Sequence, residues 1–227
     1  MKLLMILVTS CLLSVCSSCE VDSIDADPLA ANARQEEAES NKTVKEDMET
    51  ATFATGCFWC TEAVFESLKG VESVESGYTG GKIDKPTYRE VCSGRTGHAE
   101  CVQIKYDPTV ITFDKLLEIF FISHDPTTLN RQGYDVGTQY RSGIFYHTES
   151  QKTKAEEYIK KLNDANAFDS PIVTEVTAFS KFFPAEDYHQ EYYAQNPNDR
   201  YCRMNAQPKV DKVKKLFAEW VKEKDNQ

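Results

Sequence analysis

The sequence predicts an α/β domain: a two-layer sandwich of helices on a mixed sheet, ferredoxin-like, with long loops and a C-terminal helix. Three observations point there. Apolar residues make up 41% and charged residues 27% of the 227, a balance that suits one buried core in about one domain plus appendages. Segments with period-two alternation take turns with segments of helical period, in the order βαβ…βαβ-α-β and then helices. Two stretches, 77–97 and 125–139, interrupt that order as long loops, and such loops inside a compact domain are more often functional than idle. There is no internal repeat.

The start of the chain lies outside this domain. Met1-Lys2 precedes the apolar run Leu3-Leu4-Met5-Ile6-Leu7-Val8 and then Leu12-Leu13-Ser14-Val15. A short positive start with a brief apolar run reads as an export signal over residues 1–18. It is too short for a membrane span, and no later run of about 20 apolar residues offers one. Ser17-Ser18 before Cys19, with an acidic stretch behind, resembles a bacterial lipoprotein signal in which Cys19 is lipidated. Cys16 departs from that pattern, where an aliphatic is usual, and ordinary secretion is the alternative. Either way the expected location is the periplasm or cell envelope, with the membrane contacted by a lipid anchor only. Residues 20–50 hold ten acidic and three basic residues, a net of −7, and no aromatic. This reads as a disordered acidic linker. The whole chain carries −10, which argues against nucleic acid as a partner, since phosphate binding needs clustered Lys and Arg.

The domain elements follow in order from residue 51. Ala51–Thr55 is a strand ended by Gly56. A helix carries Trp59, Ala63, Phe65 and Leu68 and stops at Gly70. Val71–Ser76 is a second strand, and the five glycines and Pro86 between Gly77 and Gly97 make that stretch mostly loop. Glu100–Tyr106 alternates and ends at Asp107-Pro108. Phe113–Ser123 is an amphipathic helix, and Ser142–His147 a strand. Ser150–Leu162 is a helix with start signals at Thr148, Glu149 and Ser150. Ile172–Thr177 is a strand, and Pro184 opens a helix through Tyr193. Apolar residues at 210, 213, 216, 217, 220 and 221 form one helical stripe, which places the catalytic domain at 51–207 and a C-terminal helix at 208–227. That stripe packs on the sheet, and Lys209, Lys212, Lys214 and Lys215 form a solvated face that could meet an acidic reductant.

The cysteines then set the chemistry. Eight are present, and removing Cys11, Cys16 and Cys19 leaves Cys57, Cys60, Cys92, Cys101 and Cys202. Five is odd, so at least one is free or reactive. Cys57, in Gly56-Cys57-Phe58-Trp59-Cys60, sits where a strand gives way to a helix. Unpaired N–H groups and the positive dipole end lower a thiol's pKa there. Cys60 lies on the same face three residues on and could bridge to it. Two buried core cysteines are the plainer reading. Zinc needs two more ligands at close spacing, and Cys92 and His98 form no second pair, so no metal or cofactor is expected. Glu100 shares strand parity with Val102, Ile104 and Tyr106. A carboxyl on that apolar face would have a raised pKa and could donate a proton near neutrality, unless it is a strand-end Glu facing solvent. Tyr88, Tyr134, Tyr140, Asp135 and His98 lie in polar, glycine-containing loops, and none stands out alone.

Together these residues carry a family resemblance. Gly56-Cys57-Phe58-Trp59, Gly77-Tyr78-Thr79-Gly80-Gly81, Pro86-Thr87-Tyr88, Glu90-Val91-Cys92-Ser93-Gly94, Thr96-Gly97-His98-Ala99-Glu100, His124-Asp125-Pro126-Thr127 and Gly137-Thr138-Gln139-Tyr140-Arg141-Ser142 resemble peptide methionine sulfoxide reductase, type A, over residues 51–204. The resemblance implies reduction of methionine S-sulfoxide, free or in proteins, and hence protein repair under oxidative stress. It implies Cys57 as the nucleophile and Glu100 as the acid to the departing oxygen. Tyr88 and Tyr140 are then hydroxyl donors, Asp135 a positioning carboxylate, and Phe58 and Trp59 the wall for the substrate methyl. Cys57 would become a sulfenic acid, resolved by Cys60 or by Cys202 as a disulfide and recycled by a thioredoxin-like dithiol. Cys60 is slightly favoured, because a swing of the Cys202 tail requires ordering a mobile segment. Two other readings compete: a general thiol-disulfide oxidoreductase using Cys57 and Cys60 as a C-x-x-C pair, and an envelope-anchored binding lipoprotein.

Overall fold

Strand and helix formation follow the apolar pattern closely. The structure is a computed structural model and describes residues 48–223. The expected export signal, Cys19 and almost all of the expected linker lie outside the described residues. β1 (Glu49–Thr55) begins two residues before the expected start, because Glu49 and Thr50 pair with Tyr106 and Lys105 of β3 (Ala99–Tyr106). α1 (Phe58–Glu66) leads into β2 (Val71–Thr79), and α2 (Tyr88–Cys92) precedes β3. α3 (Phe113–Ser123) is capped by Thr112, whose hydroxyl accepts the Lys115 N–H. The two-residue strands β4 (Arg131–Gln132) and β5 (Asp135–Val136) make a separate ribbon. β6 (Ser142–Tyr146), α4 (Glu149–Asp164), β7 (Glu175–Ala178) and β8 (Phe182–Pro184) follow. α5 (Tyr192–Gln195), a π-helical turn over Cys202–Ala206 and α6 (Gln207–Leu216) close the chain.

The main sheet is mixed, in the order β7-β6-β1-β3-β2-β8. Its pairs are antiparallel except β6 with β7. Alternation sends Ala51, Phe53, Val102, Ile104 and Ile144 to one face, where they are buried with residues of α1, α3 and α6. The opposite face carries the smaller cluster Ala54, Ala99, Cys101 and Phe145, packed by Phe179 and Phe182. Phe53 anchors the larger core, with its ring 5.1 Å from Phe120 and 5.5 Å from Phe65. Burial of each such ring stabilises the fold by roughly 1.5–3 kcal/mol.

Two expectations are corrected. The stretch 77–97 is not mostly loop: Gly77, Tyr78 and Thr79 extend β2, and a capping box of Thr87 and Glu90 starts α2. Gly77 is a strand residue because a Cβ there would lie 2.4 Å from the Phe182 ring and 2.5 Å from the Phe183 carbonyl, so glycine lets β8 approach. Nor does Pro184 open a helix. It ends β8 at the sheet edge, where a missing N–H is tolerated, and the helical residues after it are only Tyr192–Gln195. Side chains fix the intervening turn instead: Gln190 Nε2 donates to the Ser76 and Ala185 carbonyls, and Gln190 Oε1 accepts the Ser76 N–H. The C-terminal stripe packs as expected through Val210, Val213 and Phe217, but against α1 and α3 rather than on the strands.

Candidate active site

The site grows from the junction of β1 and α1. Gly56 turns the chain at φ 94°, and a Cβ on it would lie 2.6 Å from Cβ of Gln132. Only glycine allows both the left-handed turn and the close approach of the β4–β5 ribbon. Cys57 is the N-cap of α1, with φ −62° and ψ 124°. The Thr61 hydroxyl donates to the Cys57 carbonyl (3.0 Å) and pairs with the Thr55 hydroxyl (2.7 Å), which clamps the cysteine backbone.

Glu100 points at this helix start. It lies on the apolar face of β3, only 1% exposed. Its Oε2 accepts the Phe58 N–H at 3.2 Å, while Oε1 is buried with no hydrogen-bond partner among the described residues. Burial pushes its pKa well up, the Cys57 charge pushes the same way, and the Phe58 N–H opposes both. Glu100 is therefore a neutral acid near pH 7, with one oxygen free to serve something else.

The thiols differ from expectation. Burial pushes the Cys57 thiol well up, and the neighbouring Cys60 sulfur adds to the rise. Cys60 is drawn down, first by a hydrogen bond from Cys57 and further by the Lys209 ammonium. The predicted acidic thiol at Cys57 is thus not present at rest. The first free N–H of α1 serves Glu100 rather than sulfur, and Cys57 is nearly sealed at 6% exposure. The Tyr201 hydroxyl is the group that favours a Cys57 thiolate.

Aromatic rings wall the cleft. Phe58 stacks with Tyr88 at 6.2 Å and 17° and tilts against Tyr78 at 5.9 Å. Trp59 stacks on Tyr192 at 3.8 Å and 12°, and its Nε1 donates to Nδ1 of His189 at 3.2 Å. Glu186 accepts the Tyr88 N–H and the Tyr78 hydroxyl, each at 2.9 Å, which fixes the Tyr88 end of the wall. Burial and the Glu100 charge push the Tyr88 and Tyr140 hydroxyls up, so both remain proton donors. Tyr140 also lies within the fields of Asp135 and Cys57. Asp135, on β5, accepts the Tyr201 hydroxyl at 2.6 Å, and Tyr201 meets Trp59 edge-on at 5.7 Å.

The fold thus gathers Cys57, Cys60, Glu100, Tyr88, Tyr140, Asp135, Phe58 and Trp59 around one cleft. Cys202 joins them: it is fully buried in the π-helical turn packed against α1, and the Cys57 and Cys60 charges reach it. The tail was expected to be mobile, yet here it is already ordered. Other candidates go elsewhere. Cys101 lies under the smaller core, its Sγ donating to the Gly77 carbonyl at 3.4 Å. Both ring nitrogens of His98 bond backbone, at Gly81 and Ile83, and so pin the 80–83 turn. Cys92 is exposed beside Tyr88. Tyr201, His189, Tyr192 and Glu186 escaped sequence reasoning. The adjacency of Tyr201 to Cys202 was the one local signal available for any of them.

Comparison with known proteins agrees with this arrangement. The family model for peptide methionine sulfoxide reductase matches residues 49–221. The chain belongs to the peptide methionine sulfoxide reductases, type A. It is similar to the peptide methionine sulfoxide reductase MsrA of Haloquadratum walsbyi, 60% identical over 75% of this chain and 97% of that protein. The MsrA of Chromobacterium violaceum is 55% identical, again over 75% and 97%. Among solved structures, reduced Mxr1 of Saccharomyces cerevisiae superposes with a TM-score of 0.65 at 34% identity, covering 70% of this chain and 92% of that one. Methionine sulfoxide reductase A of Corynebacterium diphtheriae gives 0.61 at 38%, covering 67% and 77%. This reductase is an oxidoreductase that returns methionine S-sulfoxide to methionine. The thiol-disulfide and binding-lipoprotein readings give way to it.

Proposed function

We propose that Cys57 performs the reduction with Glu100 as its acid. The observation that carries this is the buried Glu100 carboxyl, held by the Phe58 N–H on one oxygen and free on the other, beside the Cys57 thiol. The sulfur of Cys57 attacks the sulfoxide sulfur as the S–O bond breaks. Glu100 delivers a proton to the leaving oxygen, and the Tyr88 and Tyr140 hydroxyls stabilise charge developing there. Methionine leaves, and the oxygen stays on Cys57 as a sulfenic acid. Phe58 and Trp59 hold the substrate methyl, and Asp135, oriented by Tyr201, positions the substrate. The raised resting pKa of Cys57 fits this sequence. The thiol can hand its proton to the Cys60 sulfur beside it, and the Tyr201 hydroxyl supports the resulting anion.

A second thiol condenses with the sulfenic acid and releases water. Cys60 and Cys202 both lie beside Cys57, and Cys60 is the more ionised at rest. We assign the first disulfide to Cys57–Cys60, with Cys202 receiving it by exchange. A thioredoxin-like dithiol then recycles the enzyme. Export to the periplasm or cell envelope, with Cys19 lipidated, remains part of the proposal on the leader sequence alone. In that place the reductant is an exported or membrane-borne dithiol.

Disulfide mapping after one equivalent of sulfoxide tests the relay. Cys57–Cys60 is expected early and Cys202-containing bridges later. A Cys57–Cys202 bridge formed at full rate in Cys60→Ser would overturn the order.

A further inference from the structure

Glu62 is a buried acid that the chemistry above does not use. It lies on α1, is 1% exposed, and neither carboxyl oxygen has a hydrogen-bond partner among the described residues. Ser76 Oγ on β2 faces it, equally buried and also unpartnered. The N–H groups of Glu191 and Tyr192 face it too and favour its ionised form without closing to full hydrogen bonds. Glu191 is held in a left-handed conformation at φ 51°, a position a non-glycine residue seldom keeps without support. The next residue, Tyr192, is the one stacked on Trp59.

We propose that Glu62 is a positioning residue for the substrate wall: its carboxylate holds the Glu191–Tyr192 turn against α1 and keeps Tyr192 on Trp59, and taking up a proton loosens that turn. The inference rests on reading Trp59 as part of the substrate's wall. The carboxylate is the only acceptor of full charge facing those two N–H groups, and charge-assisted bonds are the stronger kind. Protonation removes that charge. Burial and the Glu66 charge hold Glu62 at about 7, so the switch falls in the neutral range. The charged groups around it are Glu66 on its own helix, Glu191 on the turn, and Lys222, which acts on Glu66. Glu66, Glu191 and Lys222 line a surface cavity of about 340 Å³, which opens this region to solvent protons.

The test uses the full chain carrying Trp220→Phe, which leaves Trp59 as the single tryptophan. Trp59 emission is followed between about pH 5.5 and about pH 8.5, alongside KM for a sulfoxide-bearing peptide. Emission should step near pH 7, with KM about three- to tenfold higher on the acid side. Glu62→Gln should erase the step and hold KM at its acid-side value throughout. Glu66→Gln should keep the step and move it to lower pH. His189, which touches the same ring, titrates below the usual histidine range because burial disfavours its charge, so its transition lies apart. A step that survives in Glu62→Gln, or no step in the parent chain, would overturn the proposal. If Glu62→Gln does not fold, Tyr192→Ala decides: an emission step that persists without the stacked ring is equally fatal. A step lost in Glu62→Gln with KM unchanged at every pH supports the latch and counts against Trp59 as the substrate's wall.

Discussion

The two sides of the cleft are held in different ways. On one side Cys57, Phe58 and Glu100 sit where β1, α1 and β3 meet, fixed by sheet register and by hydrogen bonds that span only a few residues at the helix start. On the other side His189, Tyr192, Tyr201 and Cys202 belong to the segment after β8, which has little regular structure. It is held by side-chain bonds from Gln190 and Glu186 and by the Asp135–Tyr201 pair. The reacting groups thus stand on rigid elements, while the resolving thiol Cys202 stands on a segment tied by a few separable contacts. A disulfide relay needs that asymmetry, because one sulfur must move and the other must not.

The largest effect should come from the rigid side. Glu100→Gln keeps the acceptor for the Phe58 N–H but removes the proton. Single-turnover methionine release should fall about 10²- to 10³-fold. Its urea midpoint at pH 7 should barely change, since the native acid is already neutral. An unfolded variant or an unchanged rate would break the assignment.

Next in size is a stability effect of pH. Glu62 and Glu66 are pushed up to about 7 in the folded protein by burial, against an ordinary value of 4.5. The unfolded chain releases these protons near pH 4.5 and the folded chain holds them until about 7. Their stabilising contribution is therefore full below pH 4.5 and is lost as pH rises through 7. For the buried Glu62 the loss is on the order of 2 kcal/mol. Urea unfolding at about pH 5.5 and about pH 8 should show it, and Glu62→Gln should flatten the profile.

The smallest effect should come from the mobile side. Tyr201→Phe removes the hydroxyl shared by Asp135 and Cys57, at a cost of about 1–1.5 kcal/mol, or close to tenfold in kcat/KM. If that variant slows the second turnover far more than the first, the Cys202 segment is the part that has been disturbed.

The same contrast decides what could be read from the sequence. α3 was expected at Phe113–Ser123 and lies there, because Thr112 caps it and Leu116, Leu117, Phe120 and Phe121 mark one face. Glu100 could be singled out because strand parity is local. Cys57 could be found as well, but its acidity was misjudged: the helix-end N–H that should stabilise sulfur is taken by a residue 42 positions away. Past Pro184 the local signals mislead. The apolar and aromatic residues there face partners on α1 and β5, not one another, so no helical period records them. Tyr201 serves Asp135 across 66 residues, and nothing in its neighbours announces that.

The central claim is that one sulfur at the start of α1 takes the oxygen. Reductant-free protein given one equivalent of methionine S-sulfoxide, in the Cys60→Ser, Cys202→Ser background with a sulfenic-acid trap present, tests it directly. One methionine should be released per chain, and the trap should be found on Cys57 alone. Equal release from a chain that also carries Cys57→Ser, or a trap found on Cys92 or Cys101, would contradict it.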